Sequence, residues 1–257
     1  MLRFKTINIF FILLLIGVLV YDLRFEVSGW AYSLIVLAYI AFQVYGSAVL
    51  SAQYFLPVKF EGSKASGAVA LTFDDGPVPG KTDAILDILK SRGVSAAFFC
   101  IGNRVTANPL LMERIHQGGH LIGNHSYWHK ATFDLQSAAK IAKELLDTDS
   151  AISETIGVRP NLFRPPYGVT NPMVAKAVKS SGYLTVGWSI RSFDTVIDDG
   201  DVLYERITKS LKGGDVILLH DHGSATIKIL PALLDHIAKI GLKIVRVDEL
   251  LNIKAYV

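Results

Sequence analysis

The sequence predicts an α/β fold: a parallel sheet rolled into an irregular (β/α) barrel of about seven units, preceded by an N-terminal hairpin of two transmembrane helices. Three observations carry this reading. Short apolar, β-branched or aromatic runs alternate with amphipathic stretches from residue 57 to the end. Most of those amphipathic stretches stop on glycine, the usual helix terminator. Hydrophobic residues make up 51% of the chain and the mean hydropathy is +0.37, with the excess concentrated near the N-terminus.

Composition sets the outer bounds. A length of 257 residues suits one domain plus a smaller segment, enough for a sizeable core. The net charge is only +3 and the Lys and Arg residues are scattered, so no basic stripe offers itself to nucleic acid. Cys100 is the single cysteine and cannot form an internal disulfide. Its apolar surroundings, residues 96–101, mark it as a small core residue.

Residues 1–56 read as the membrane hairpin and residues 57–257 as the barrel domain. From Ile7 to Val20 the chain is apolar except for Asn8, and a second apolar run extends from about Trp30 to Leu50. Trp30, Tyr32 and Tyr54 lie near the ends of the second run, where aromatic rings favour a membrane interface. A cleaved signal peptide is the rival for the first run. However, Tyr21-Asp22-Leu23 offers no small-residue cleavage site, and a second apolar run follows. Arg3 and Lys5 precede the first helix and Lys59 and Lys64 follow the second, while the loop carries Arg24 beside Asp22 and Glu26. By the positive-inside tendency both ends, and the barrel, lie on the cytoplasmic side of a multi-pass membrane protein.

The expected strands are 68–73, 94–101, 120–125, 162–164, 184–190, 215–220 and 243–247. The expected helices are 82–92, 109–117, 134–156, 172–181, 202–211 and 227–240. Closing such a parallel sheet removes its edges; an open doubly wound sheet is the rival, but no Gly-rich dinucleotide or phosphate-binding loop follows any strand. Reactive residues of a barrel gather at the C-terminal ends of its strands. Asp74, Asp75, His125, Arg164, Asp194 and His220 all fall there.

Thr72-Phe73-Asp74-Asp75-Gly76-Pro77 ends an apolar run on two carboxylates that repel unless a positive group sits nearby. His125 and His129, four apart, share a face if they lie in a helical turn. Joined by Asp75 they make a two-His, one-carboxylate set open to water and substrate. A divalent metal ion suits it, zinc first, with cobalt or another also compatible. Arg164-Pro165-Pro166-Tyr167-Gly168 is stiffened by consecutive prolines and can hold a guanidinium and a backbone N–H in place. His220 ends an apolar strand and is a candidate acid or base, with Asp194 the carboxylate to orient it. His116, His120 and His236 read as structural or solvated.

In order and character these segments resemble the NodB-type polysaccharide deacetylases, carbohydrate esterase family 4, over residues 68 to about 250. The resemblance implies a partly irregular barrel that uses a divalent metal to hydrolyse N-acetyl groups, usually on N-acetylglucosamine polymers outside the membrane. It implies Asp74 as general base, Asp75, His125 and His129 as metal ligands, and His220 as general acid. Arg164 would then partner the base and Asp194 the acid. Tyr167 would offer its N–H to the oxyanion, while Trp188 and Leu218 wall the acetyl pocket. The sequence departs from the family in one place: Thr195 follows Asp194 where Trp is common. Asp221 and His222 have no assigned role. Two other functions fit the same residues: a deacylase of a lipid-linked amino sugar at the membrane, and a non-catalytic, membrane-anchored glycan-binding protein.

Overall fold

The computed structural model describes residues 3–257. Two apolar helices, α1 (Phe4–Asp22) and α2 (Gly29–Ala48), come first and pack side by side. Both are long and apolar enough to cross a membrane, with hydropathies of 2.2 and 1.4, and most of their surface is uncovered. Some of their polar groups are paired within the hairpin. Tyr39 donates to Asn8 at 2.9 Å, while Asp22 accepts from Tyr32 at 2.8 Å and from the Val27 N–H at 2.6 Å. Such pairing answers the cost of a bare polar group in an apolar setting.

Strands and helices then alternate: β1 (Ala68–Asp74), α3 (Lys81–Ser91), β2 (Ala97–Cys100), α4 (Gly102–Ala107), α5 (Pro109–Gln117) and β3 (Leu121–Asn124). They continue with α6 (Ala138–Ile156), β4 (Leu162–Phe163), α7 (Pro172–Ser181), β5 (Leu184–Thr185) and β6 (Ile190–Arg191). The chain ends with α8 (Gly200–Thr208), β7 (Val216–His220), α9 (Ser224–Lys239), β8 (Lys243–Ile244) and α10 (Val247–Leu251). All strand pairs in this curled sheet are parallel, in the order β5-β4-β3-β2-β1-β7-β6, with β8 against the start of β1.

The two ends of that order, β5 and β6, are neighbours in the chain. The expected strand 184–190 is therefore a single bent stretch that changes partner: Thr185 pairs with Phe163 on one side, and Ile190 with Ile217 on the other. The bend centres on Gly187, packed so tightly against Leu50, Val58 and Phe60 that a side chain there would collide. Lys59 fills the gap, donating to the Thr185 carbonyl at 2.9 Å and accepting from the Gly187 N–H at 2.8 Å. The segment leaving α2 thus laces the seam of the barrel. Leu50, Leu56 and Val58 are buried with Phe163, Val174 and Val178 in one cluster.

Pleating sorts β1 into two faces. Val69, Leu71 and Phe73 meet α3 and α9 outside the sheet; Ala68 and Ala70 face the interior, where Val247, Leu250 and Leu251 of α10 fill the space. Thr72 and Asp74 share the interior parity. Other differences from the sequence expectation have local causes. Helix α4 was not expected because Gly-Asn-Arg-Val-Thr-Ala has no apolar period; packing of Gly102 against Tyr127 and Thr148 holds it. Helix α6 starts at Ala138, capped by Ser137, and a short 3-10 turn occupies Phe133–Leu135. The last strand stops at Ile244, and Val247 opens α10.

A chain beginning at Val49 keeps the seam segment, and one beginning at Gly62 loses it. Each buried apolar side chain lost costs ~1.5–3 kcal/mol. The shorter chain should therefore be less stable by about 5 kcal/mol or more, enough to abolish cooperative urea unfolding. Equal urea midpoints for the two chains would show that the seam segment is dispensable.

Candidate active site

Asp74 is the last residue of β1, and its carboxylate points into the barrel. Arg164, just beyond β4, is fully buried and spans the interior to reach it: Nη1 donates to Asp74 Oδ1 at 2.7 Å and to Thr72 Oγ1 at 2.8 Å. The same guanidinium donates to the carbonyls of Val186 at 3.2 Å and Gly187 at 2.9 Å, and lies over the Phe99 ring. One side chain thus satisfies the bend of the closing strand and fixes the carboxylate.

Asp75 would face away from Asp74 if the strand continued. Its φ of +76° is left-handed and turns it back toward the same cleft, while Arg104 on α4 donates to its carbonyl at 2.5 Å. Asp75 Oδ1 lies 3.5 Å from His125 Nε2 and 3.3 Å from His129 Nε2. The expected helical turn between the two histidines is absent. Residues 125–129 form a loop in which Ser126 and His129 are left-handed, with φ of +64° and +49°. Ser126 Oγ accepts from the His129 N–H at 3.1 Å, and the rings converge to 4.8 Å. Loop hydrogen bonds, not helical spacing, bring the pair together.

His125 Nδ1 lies 2.8 Å from the Arg164 carbonyl, which can only accept, so the lone pair is left on Nε2 facing Asp75. One ligand atom each from Asp75, His125 and His129 falls within 4.8 Å of the others. Asp75 Oδ1 is buried and, among the described residues, has no hydrogen-bond partner. Burial pushes the His129 imidazole down to about 4, aided by His125, so it is neutral at pH 7. Burial works the other way on Asp75, but the facing His125 and His129 rings outweigh it and hold this carboxyl well below its usual range. An orphaned carboxylate oxygen facing two imidazole nitrogens is a donor set that fits a divalent cation.

Across the cleft, His220 ends β7 with Nδ1 2.7 Å from Asp194 Oδ1. Asp194 is the most heavily bonded carboxylate of the site. It also accepts from the His220 N–H at 2.7 Å, Ser192 Oγ at 2.7 Å and Thr226 Oγ1 at 2.5 Å. Burial alone would lower the His220 pKa, yet the Asp194 hydrogen bond and the charges of Asp74, Asp194 and Asp75 leave it raised. Tyr167, Trp188 and Leu218 line the same cleft, whose volume is about 440 Å³. Tyr167 is itself left-handed at φ +59°, and Trp188 packs on Gly168 so closely that no other residue fits there.

The structure therefore gathers every residue singled out in the sequence around one cleft. Reading the sequence missed Arg104, Ser192 and Thr226. Arg104 sits on the unexpected helix, and hydroxyls such as Ser192 and Thr226 carry no sequence signal beyond the local Ser-x-Asp spacing at Ser192. Asp221 also gains a place. It accepts from Thr82 Oγ1 at 2.6 Å and presses against Gly76, bracing the turn that carries Asp75.

The sequence model for polysaccharide deacetylase matches residues 61–186. A Bacillus cereus protein named peptidoglycan-N-acetylglucosamine deacetylase is 38% identical over 191 residues, covering 72% of this chain and 89% of that protein. This chain belongs to the polysaccharide deacetylase family. Relatives named peptidoglycan deacetylases are hydrolases of non-peptide carbon–nitrogen bonds, and this chain is a hydrolase of that kind. The fold is similar to the crystal structure of the Bc1960 peptidoglycan N-acetylglucosamine deacetylase in complex with an N-hydroxybenzamide. The TM-score is 0.73 and the identity 27%, covering 77% of this chain and 94% of that one. It is similar too to BA3943, a CE4 family pseudoenzyme from Bacillus anthracis, with TM-score 0.71 and 27% identity over 76% of this chain and 69% of that one. The fold alone thus does not decide whether a deacetylase-like chain is active; its side chains do.

Burial pushes the Asp221 carboxyl up to about 7, helped by Asp75 and Asp74 and opposed by Thr82 and Arg104. A carboxyl whose folded-state pKa exceeds its unfolded value of ~3.9 contributes stability below about pH 4 and loses it as pH rises through about 7. Unfolding free energy should accordingly fall between about pH 4 and about pH 7, and Asp221→Asn should flatten that fall in urea titrations. An unchanged slope in the variant would place the proton elsewhere.

Proposed function

We propose that this chain removes N-acetyl groups from a glycan containing N-acetylglucosamine, peptidoglycan foremost, while anchored to a membrane by α1 and α2. The observation that carries the reading is the pairing of Asp74 with Arg164 opposite the pairing of His220 with Asp194, flanking one cation-binding triad. A purely glycan-binding protein has no use for that set. The substrate follows from the relatives named as acting on peptidoglycan N-acetylglucosamine.

A divalent ion held by Asp75, His125 and His129 would acidify water and polarise the acyl carbonyl. The remaining steps belong to the chain itself. Asp74, aimed by Arg164, accepts the proton of the attacking water. The Tyr167 N–H faces the developing oxyanion, a donor of the kind worth ~3–4 kcal/mol. An amine leaves poorly unless protonated; His220, whose charged form Asp194 favours, supplies that proton. Trp188 and Leu218 enclose the acetyl methyl and exclude bulkier acyl groups.

The flanking lysines favour a second reading in which the same chemistry acts on a lipid-linked amino sugar at the cytoplasmic face. Acetate release from polymeric peptidoglycan, measured beside release from a lipid-linked N-acetylglucosamine, separates the two, and chelator should silence both. Asp74→Asn should retain one metal ion per chain yet lose ~10²–10⁴ in turnover; wild-type rates would remove Asp74 from the base role. The raised His220 pKa keeps the acid protonated above pH 6.5, so kcat should hold to a correspondingly higher pH before it declines. In Asp194→Asn the anion is gone, the His220 pKa drops, and the alkaline limb of the kcat–pH profile should move to lower pH. A limb that stays put would exclude His220 as the group responsible.

A further inference from the structure

A concavity larger than the catalytic cleft lies elsewhere in the molecule. A groove of about 1110 Å³ lies where the helical hairpin meets the barrel, and it shares no lining residue with the cleft. Its floor is the apolar segment that laces the seam, with Phe55, Leu56 and Val58. Its rim carries four lysines: Lys5 in the first turn of α1, Lys59 on the seam, and Lys176 and Lys179 on α7. Glu61 is the only carboxylate among the lining residues. Among the described residues none of these lysines is in an ion pair, and Lys143, with Asp147, is the only lysine that is.

The position of the groove is as informative as its charge. The Phe4 N–H donates to the Tyr54 carbonyl at 3.0 Å, so the start of α1 is clamped to the chain leaving α2. Both helices therefore open onto the groove at the same end of the hairpin. If α1 and α2 cross a bilayer, that end sits at the depth of the lipid headgroups. A concentration of uncompensated ammonium groups above an apolar floor, at that depth, matches an anionic headgroup on one side and its acyl chain along the exposed hairpin on the other.

We infer that this groove is a binding site for an anionic glycerophospholipid, with the lysines on the phosphate and the lipid tail against α1 and α2. The inference rests on the reading that the hairpin spans a membrane. The lipid would hold the barrel at a set height and tilt over the bilayer, something the helix pair alone does not do.

The test uses the full chain reconstituted in vesicles of equal phosphatidylglycerol and phosphatidylcholine. Lipids that remain after detergent extraction and purification are counted by mass spectrometry. The parent chain should retain phosphatidylglycerol in preference by on the order of tenfold. The triple variant Lys59→Gln, Lys176→Gln, Lys179→Gln should lose that preference, and the triple Lys→Arg variant at the same positions should keep it. Thermal melts by circular dichroism check that each variant is folded. A parent that holds the two lipids in vesicle proportion, or a Gln variant as selective as the parent, overturns the site. Release of the parent from vesicles by alkaline carbonate overturns the spanning hairpin and the site together, whereas retention without selectivity overturns the site alone.

Discussion

The buried pair of Arg164 and Asp74 is the constraint around which the barrel is arranged. A guanidinium with no solvent exposure reaches β1 through Thr72 and Asp74, and the bend of the closing strand through two carbonyls. Those carbonyls would otherwise be orphaned where the strand changes partner. Such a pair need add nothing net to stability, but losing one partner costs ~3–5 kcal/mol because the other charge is left buried alone. Fold and site thus share one interaction: the residue that satisfies the bend between β5 and β6 is the residue that aims the Asp74 carboxylate into the cleft.

Backbone strain is concentrated at the same place. Among the described residues, seven non-glycine positions have positive φ; Asp75, His129 and Tyr167 line the cleft, and Ser126 and Phe193 lie within two residues of ones that do. Each such conformation costs ~1–3 kcal/mol and persists only when its surroundings over-determine it. The determinants can be named. Arg104 holds the Asp75 carbonyl, Ser126 holds the His129 N–H, and the Tyr167 hydroxyl reaches the His129 carbonyl at 3.3 Å. The strain is how adjacent Asp74 and Asp75 face one site and how His125 and His129 meet without a helix.

The N-terminal segment belongs to the same design. Its helices are exposed apolar rods, but the residues that follow them enter the barrel wall and complete the seam beside Gly187. The hairpin and the catalytic domain are consequently not beads on a flexible string. Whatever positions α1 and α2 also positions the mouth of the cleft.

What could be known from the amino acids alone was chemical identity and local period. The helices at Pro109–Gln117 and Pro172–Ser181 begin on proline and are followed by glycine, signals that act within one turn, so their limits could be read directly. The ten candidate site residues could be singled out because their side-chain chemistry and their place after apolar runs are local facts too. Tertiary structure decided the rest. The division of 184–190 between two ends of the sheet, the left-handed turn at Asp75, and the support from Arg104 and Thr226 all depend on partners distant in sequence. A strand's propensity is set by its own residues, but which neighbour it pairs with, and where it bends, is set by what the remainder of the chain leaves unpaired.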